Sequence, residues 1–173
     1  MVRNMGTIGG SIANHDPAAD YPAAVVGLNA TVKTNSREIP ADEFFTAMFS
    51  TKLEPDEIVV SVTFPVPRRA GYFKLPHPAT GFVVAGAFVA EFDDQILVAI
   101  NGATTCVFRS RDLEEALAAG FHSSNARMPE IDPDDICSDI HADAAYRKCV
   151  LPGVIKKALE QATASQSIFE NGE

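Results

Sequence analysis

Four strand-like runs between residues 57 and 103 limit the fold more than any other feature of this chain. They fall at residues 57–64, 70–75, 83–92 and 95–103. In the first, Ile58, Val60 and Val62 alternate with Val59, Ser61 and Thr63, the period of a pleated strand. Asp93-Asp94 separates the last two runs and reads as a tight hairpin turn. Between the first and second runs stands Pro65-Val66-Pro67, two prolines in three residues, which end a strand and mark a linker. Beyond residue 103 the pattern turns helical. Ser110 is placed to cap a helix that ends before Gly120, residues 132–136 suggest a short helix, and residues 142–164 a long one. On the long helix Tyr146, Val150, Val154, Ala158 and Ala162 fall at i, i+4 spacing, and Pro152 predicts a kink or break. Residues 165–173 are expected to fray.

The first 56 residues are more mixed. Residues 21–28 suggest a short helix with Asp20 at its N-cap and Pro22 in its first turn. Residues 30–33 and 38–40 read as a hairpin, and residues 41–49 as a short amphipathic helix presenting Phe44, Phe45 and Met48. Phe44, Phe45 and Phe49 are expected in the core. The whole is an α+β chain in two pieces, residues 1–66 and residues 67–173, the second with three antiparallel strands and a helical bundle.

Charge and composition narrow the function. The chain has 14 basic and 23 acidic residues, a formal net charge of −9, which argues against nucleic acid or an anionic membrane surface as partner. No apolar run reaches the roughly 20 residues a membrane span needs, and residues 1–10 hold no secretory signal pattern. Cys106, Cys137 and Cys149 are widely spaced without a CxxC pair, which fits a reducing cytoplasm better than a disulfide framework or zinc site. His15, His77, His122 and His141 show no metal-ligand spacing; His15 lies between a glycine pair and Asp20. Asp132, Asp134, Asp135, Asp139 and Asp143 lack the spacing and the terminal glutamate of a calcium loop, so capping and solvation account for them.

Thr7-Ile8-Gly9-Gly10-Ser11 carries the most chemistry. Adjacent glycines permit positive φ and close approach of a ligand to the backbone. Free amides in such a segment bind anionic oxygens, as a diphosphate supplies, and the Thr7 and Ser11 hydroxyls can join them. Alone, the pattern also describes an ordinary tight turn. Asp16 and Asp20 could equally cap a short helix, and Lys74 could be a plain strand lysine facing solvent.

An ordered set of segments resembles the FAD-binding medium subunits of molybdenum hydroxylases, the carbon monoxide dehydrogenase and xanthine dehydrogenase family. The set comprises Arg3-Asn4, the glycine segment, Asp16-Pro-Ala-Ala-Asp20, Thr51-Lys-Leu-Glu-Pro-Asp-Glu-Ile-Val59, Tyr72-Phe-Lys74, His77-Pro-Ala-Thr-Gly-Phe82 and Ser138 through Arg147. The resemblance covers nearly the whole chain. It implies the second subdomain of a para-cresol methylhydroxylase-type FAD domain, followed by the family's C-terminal domain. It implies FAD contacts at Thr7, Ile8, Gly9, Gly10 and Ser11 for the diphosphate and ribityl region. Asp20 would accept from ribityl or ribose hydroxyls, Val59 would contribute backbone near the ring, and Lys74 would reach the ring edge. No catalytic or metal-binding residue is implied. The implied partners are a molybdopterin-binding large subunit and a [2Fe-2S] small subunit. The family's first glycine-rich FAD subdomain has no counterpart here, which predicts weak or no retention of FAD by this chain alone. It also predicts an apolar surface along residues 21–28 that favours a separate N-terminal half or self-association. A non-catalytic assembly module is the alternative. Phe82 stands where many relatives carry Tyr.

Overall fold

The computed structural model describes the backbone of residues 2–170 and the side chains of residues 4–165. The chain begins with a helical turn, α1 (Val2–Met5), and a short helix, α2 (Ile8–Asn14). The glycine pair is therefore helical rather than a positive-φ turn; among the described residues the glycines with positive φ are Gly81 and Gly102. Thr7 explains the difference, because its side chain caps the Gly10 amide and starts the helix.

Helix α3 (Tyr21–Gly27) leads to the hairpin β1 (Thr31–Thr34) and β2 (Glu38–Pro40). The expected helix over residues 41–49 is a single turn, α4 (Ala41–Phe44), followed by β3 (Phe45–Ala47) and β4 (Ser50–Thr51). The β3–β4 turn leaves Met48 and Phe49 45% and 60% exposed, with Phe49 at φ 52°, so Phe49 is not core; Phe44 and Phe45 are.

Strand β5 (Val59–Thr63) is the edge of a three-stranded antiparallel sheet of order β2-β1-β5. Its alternation is broken. Lys33 pairs with Ser61 and Thr34 with Val59, so Val60 is an extra, bulged residue. The bulge turns Val59 to the same core as Val62 and leaves Val60 62% exposed.

The second sheet has four strands where three were expected: β6 (Arg69–Pro76), β7 (Val83–Glu91), β8 (Ile96–Asn101) and β9 (Phe108–Arg109), antiparallel and in that order. Only two residues make β9, too few for alternation to betray it. Alternate residues give the sheet two faces. One carries Ala85, Ala87, Val89, Val98 and Ile100, packed under α5 (Arg111–Ala118) and α6 (Ala144–Glu170). Residues 119–143 between these helices hold two short 3₁₀ turns, Ser123–Asn125 and Pro133–Asp135, in place of a further bundle helix. Leu151, Ile155 and Leu159 on α6 are each at most 1% exposed, and burial of such a side chain is worth about 1.5–3 kcal/mol. Helix α6 runs unbroken through Pro152 and continues past residue 164 to Glu170; residues 171–173 lie outside the described residues. Gly71 lets it sit close, since a Cβ there would lie 2.2 Å from the Ala158 carbonyl oxygen.

The opposite face carries Tyr72, Lys74, Gly86, Phe88, Ala99 and Asn101, joined in register as Tyr72↔Phe88, Lys74↔Gly86 and Gly86↔Asn101. Helix α3 packs there, with Gly27 against Phe88. Pro22, Ala23, Val25, Val26 and Gly27 are consequently buried, so residues 21–28 do not form the predicted apolar surface. A core of Ile12, Val25, Val32, Phe44 and Ala99 spans this side.

Candidate functional site

The first group of site residues sits at the start of α2. The Thr7 hydroxyl oxygen accepts from the Gly10 amide at 3.0 Å, and the Thr7 carbonyl accepts from the Ser11 amide at 3.0 Å. The Ile8 and Gly9 amides have no partner among the described residues, as expected for the first turn of a helix. Thr7, Ile8 and Gly10 are exposed, Gly9 and Ser11 half-buried. Gly9 lies on Val59: a Cβ there would be 3.5 Å from the Val59 Cβ and Cγ1.

His15 fixes the far end of α2. It is fully buried at φ 43°, and its amide closes the helix on Ser11 and Ile12 carbonyls. Its Nδ1 lies 2.9 Å from the Ser50 carbonyl oxygen, which can only accept, so Nδ1 carries a proton. Nε2 lies 3.8 Å from the Cys106 sulfur, and burial pushes that thiol up.

The second group surrounds Asp20. Tyr72 donates to Asp20 Oδ1 at 2.7 Å, and Lys74 Nζ donates to Oδ2 at 2.8 Å and to the Gly81 carbonyl at 2.9 Å. Asp20 occupies the N-cap position of α3 but makes no capping bond, because its carboxylate is committed to the sheet. Asn101, 1% exposed, donates to the Ala19 carbonyl at 2.8 Å, while its Oδ1 is buried with no hydrogen-bond partner among the described residues. Burial pushes the Tyr72 phenol well above its ordinary range, its bond to the Asp20 carboxylate adds to this, and the Asn101 amide opposes it. Tyr72 is thus a fixed donor.

The structure therefore brings Gly9 to Val59 and Asp20 to Lys74. No hydrogen bond or ion pair among the described residues joins these two groups directly. The loop between them is held by Val83, whose amide donates to the Ala18 carbonyl at 3.0 Å. Tyr72 and Asn101 were not foreseen as site residues. Their signals were the two-residue spacing of Tyr72 and Lys74, which puts both on one strand face, and a lone amide ending an apolar strand.

Residues 1–67 match the family described as the FAD binding domain in molybdopterin dehydrogenase. The nicotine 6-hydroxylase medium subunit of Paenarthrobacter nicotinovorans is 28% identical over 181 residues, covering 94% of this chain and 62% of that protein. The carbon monoxide dehydrogenase medium chain of Hydrogenophaga pseudoflava is 29% identical over 179 residues, covering 94% and 62%. A solved structure of carbon monoxide dehydrogenase from the same organism, lacking the Mo-pyranopterin moiety of its molybdenum cofactor, superposes with a TM-score of 0.76 at 28% identity. It covers 94% of this chain and 62% of that one. Over most of its length the chain is similar to medium subunits of molybdenum hydroxylases, and its residues 1–67 match their FAD-binding domain. The chain spans 62% of the length of these curated relatives. The matched domain family is one that binds FAD.

The residues present fit a flavin nucleotide. The Ile8 and Gly9 amides are available donors beside two hydroxyl side chains. An ionised carboxylate has about four acceptor positions and an ammonium three donors, so Asp20 and Lys74 retain capacity toward a ligand. Among the described residues no helix is long and apolar enough to cross a membrane.

Proposed function

We propose that this chain forms part of the flavoprotein medium subunit of a molybdenum hydroxylase, passing electrons from iron–sulfur clusters to FAD and an external acceptor. The observation that carries this reading is the span of the FAD-binding match, residues 1–67, which takes in Thr7 to Ser11, Asp20 and Val59. FAD, when bound, supplies the redox chemistry; the protein supplies placement and charge. Thr7, Ile8, Gly9, Gly10 and Ser11 hold the diphosphate and ribityl region through the free Ile8 and Gly9 amides, the glycine backbone and the Thr7 and Ser11 hydroxyls. Asp20 accepts from ribityl or ribose hydroxyls, and Val59 lends backbone beside the ring. Lys74 stands at the ring edge, where a cation favours added negative charge. Residues 1–66 form the flavin-binding piece and residues 67–173 the C-terminal piece.

The partners are a molybdopterin-binding large subunit and a [2Fe-2S] small subunit, in the cytoplasm. Exposure of Thr7, Ile8, Gly10 and Asp20 supports a shelf rather than an enclosed pocket. Since enclosed sites bury most of a ligand's surface, the isolated chain holds FAD weakly, with Kd above about 1 μM (−8.2 kcal/mol). Equilibrium dialysis tests this: the wild-type chain retains FAD in a saturable way and the Lys74→Glu variant does not. Equal retention by both rejects the assignment of Lys74.

A second reading, a non-catalytic module for assembly or self-association, is favoured by β5. This edge strand has no charged residue, and Ile58 just before it and Val60 within it are 69% and 62% exposed. The Val60→Lys variant then dissociates assemblies that the wild type forms; a wild type monomeric at every concentration rejects this reading.

A further inference from the structure

Tyr72, Asn101 and Gly86 lie outside the residues assigned to the flavin, yet they build the support beneath one of them. Asp20 has helical backbone angles, φ −79° and ψ −43°, and caps nothing in its own helix. Its orientation comes from β6 instead. Each carboxylate oxygen takes one bond from that strand, Oδ1 from Tyr72 at 2.7 Å and Oδ2 from Lys74 at 2.8 Å. The backbone just before it is fixed from β8, where Asn101 donates to the Ala19 carbonyl at 2.8 Å. Gly86 on β7 makes room: a Cβ there would lie 2.2 Å from Asn101 Oδ1 and 3.1 Å from the Tyr72 hydroxyl. β6 thus holds the exposed carboxylate, β8 holds the backbone just before it, and β7 leaves room for both supports.

We propose that Tyr72 and Asn101 are positioning residues for the flavin, Tyr72 orienting the Asp20 carboxylate toward ligand hydroxyls and Asn101 fixing the backbone that carries it. The proposal rests on the assignment of Asp20 to the flavin. A carboxylate held at both oxygens meets its ligand already ordered. Without Tyr72 that order must be imposed on binding, at the cost of immobilising one side chain. The loss expected is about fivefold in FAD affinity.

The test is a double-mutant cycle on the full chain, read as FAD affinity by flavin fluorescence, with melting temperature measured separately on the FAD-free proteins. Tyr72→Phe weakens FAD about fivefold in the wild-type background and has no further effect in the Asp20→Ala background. Asn101→Ser, a second variant that keeps Tyr72, also weakens FAD. The proposal is overturned if Tyr72→Phe and Asn101→Ser bind FAD like the wild type. It is equally overturned if the Tyr72→Phe loss persists undiminished without Asp20, which would mean Tyr72 acts by another route. Wild-type binding that Asp20→Ala leaves unchanged removes the assignment of Asp20 itself, and the proposal with it.

Discussion

Replacing Gly71 by Ala tests how closely α6 is packed on the sheet. The new Cβ would lie 2.2 Å from the Ala158 carbonyl oxygen, 2.5 Å from the Ala162 nitrogen and 3.1 Å from the Ala162 Cα. All three are backbone atoms of one helix, so no side chain can swing aside. Reaching ordinary contact requires the helix to retreat by about 1 Å, a gap that forfeits a quarter to a half of each dispersion contact it opens. Leu151, Val154, Ile155, Ala158, Leu159 and Ala162 all sit in the core beneath it. Overpacking costs typically about 1–3 kcal/mol, and an obstacle made of backbone belongs at the upper end, so we expect about 3 kcal/mol. At roughly 2–4 °C per kcal/mol for a chain of this size, the melting temperature falls by about 6–12 °C. Gly153→Ala is the control. It lies on the same helix, a Cβ there meets nothing within 4 Å, and it should stabilise by about 0.5–1 kcal/mol. Circular dichroism melts and urea titrations of both variants decide the matter. Gly71→Ala within about 0.5 kcal/mol of the wild type, the ordinary range for surface substitutions, would refute the packing argument.

Other consequences are equally open to measurement. Glu57 is held at about 2, against 4.5 for a free glutamate, by the Arg37 guanidinium first and then by the Glu54 amide and the Thr34 hydroxyl. A lowered carboxyl pKa stabilises above the unfolded value and stops doing so as pH falls through the folded one. The stability gap between wild type and Glu57→Gln is therefore constant above about pH 5 and closes toward pH 2; a gap that persists at pH 2 contradicts the ion pair. Arg147→Met leaves the Val84 and Gly102 carbonyls and part of Asp139 without their donor, and should cost about 2–4 kcal/mol in urea unfolding. A thiol reagent should label exposed Cys149 before Cys106 and Cys137, whose thiols burial pushes up; equal rates at all three would show that the native fold does not protect them.

Periodicity read the long elements well and the short ones poorly. Strands β6, β7 and β8 were legible because alternation lasted six residues or more, and α6 because its apolar face repeated over many turns. The break expected at Pro152 did not appear: packing of Leu151, Ile155 and Leu159 holds the helix through the one backbone bond proline forgoes. Residues 41–49 carry aromatic residues at helical spacing, but Phe49 takes a left-handed conformation and its amide bonds to the His15 carbonyl, a tertiary contact no local pattern reveals. In the site, Asp20 and Lys74 were legible as residues but not as a pair, because 54 positions separate them. Tyr72 was visible as part of a motif and invisible as the clamp on Asp20.

The central claim is that flavin is held by the start of α2, Val59 and the Asp20–Lys74 pair. Amide chemical shifts of the isotope-labelled chain, followed while FAD is added to about 1 mM, a concentration that registers even −4.1 kcal/mol of binding, test it most directly. The account predicts saturable shifts at Ile8, Gly9, Gly10, Asp20, Val59 and Lys74, with α5 and the middle of α6 unmoved. No saturable shift, or shifts confined to other surfaces, would contradict it.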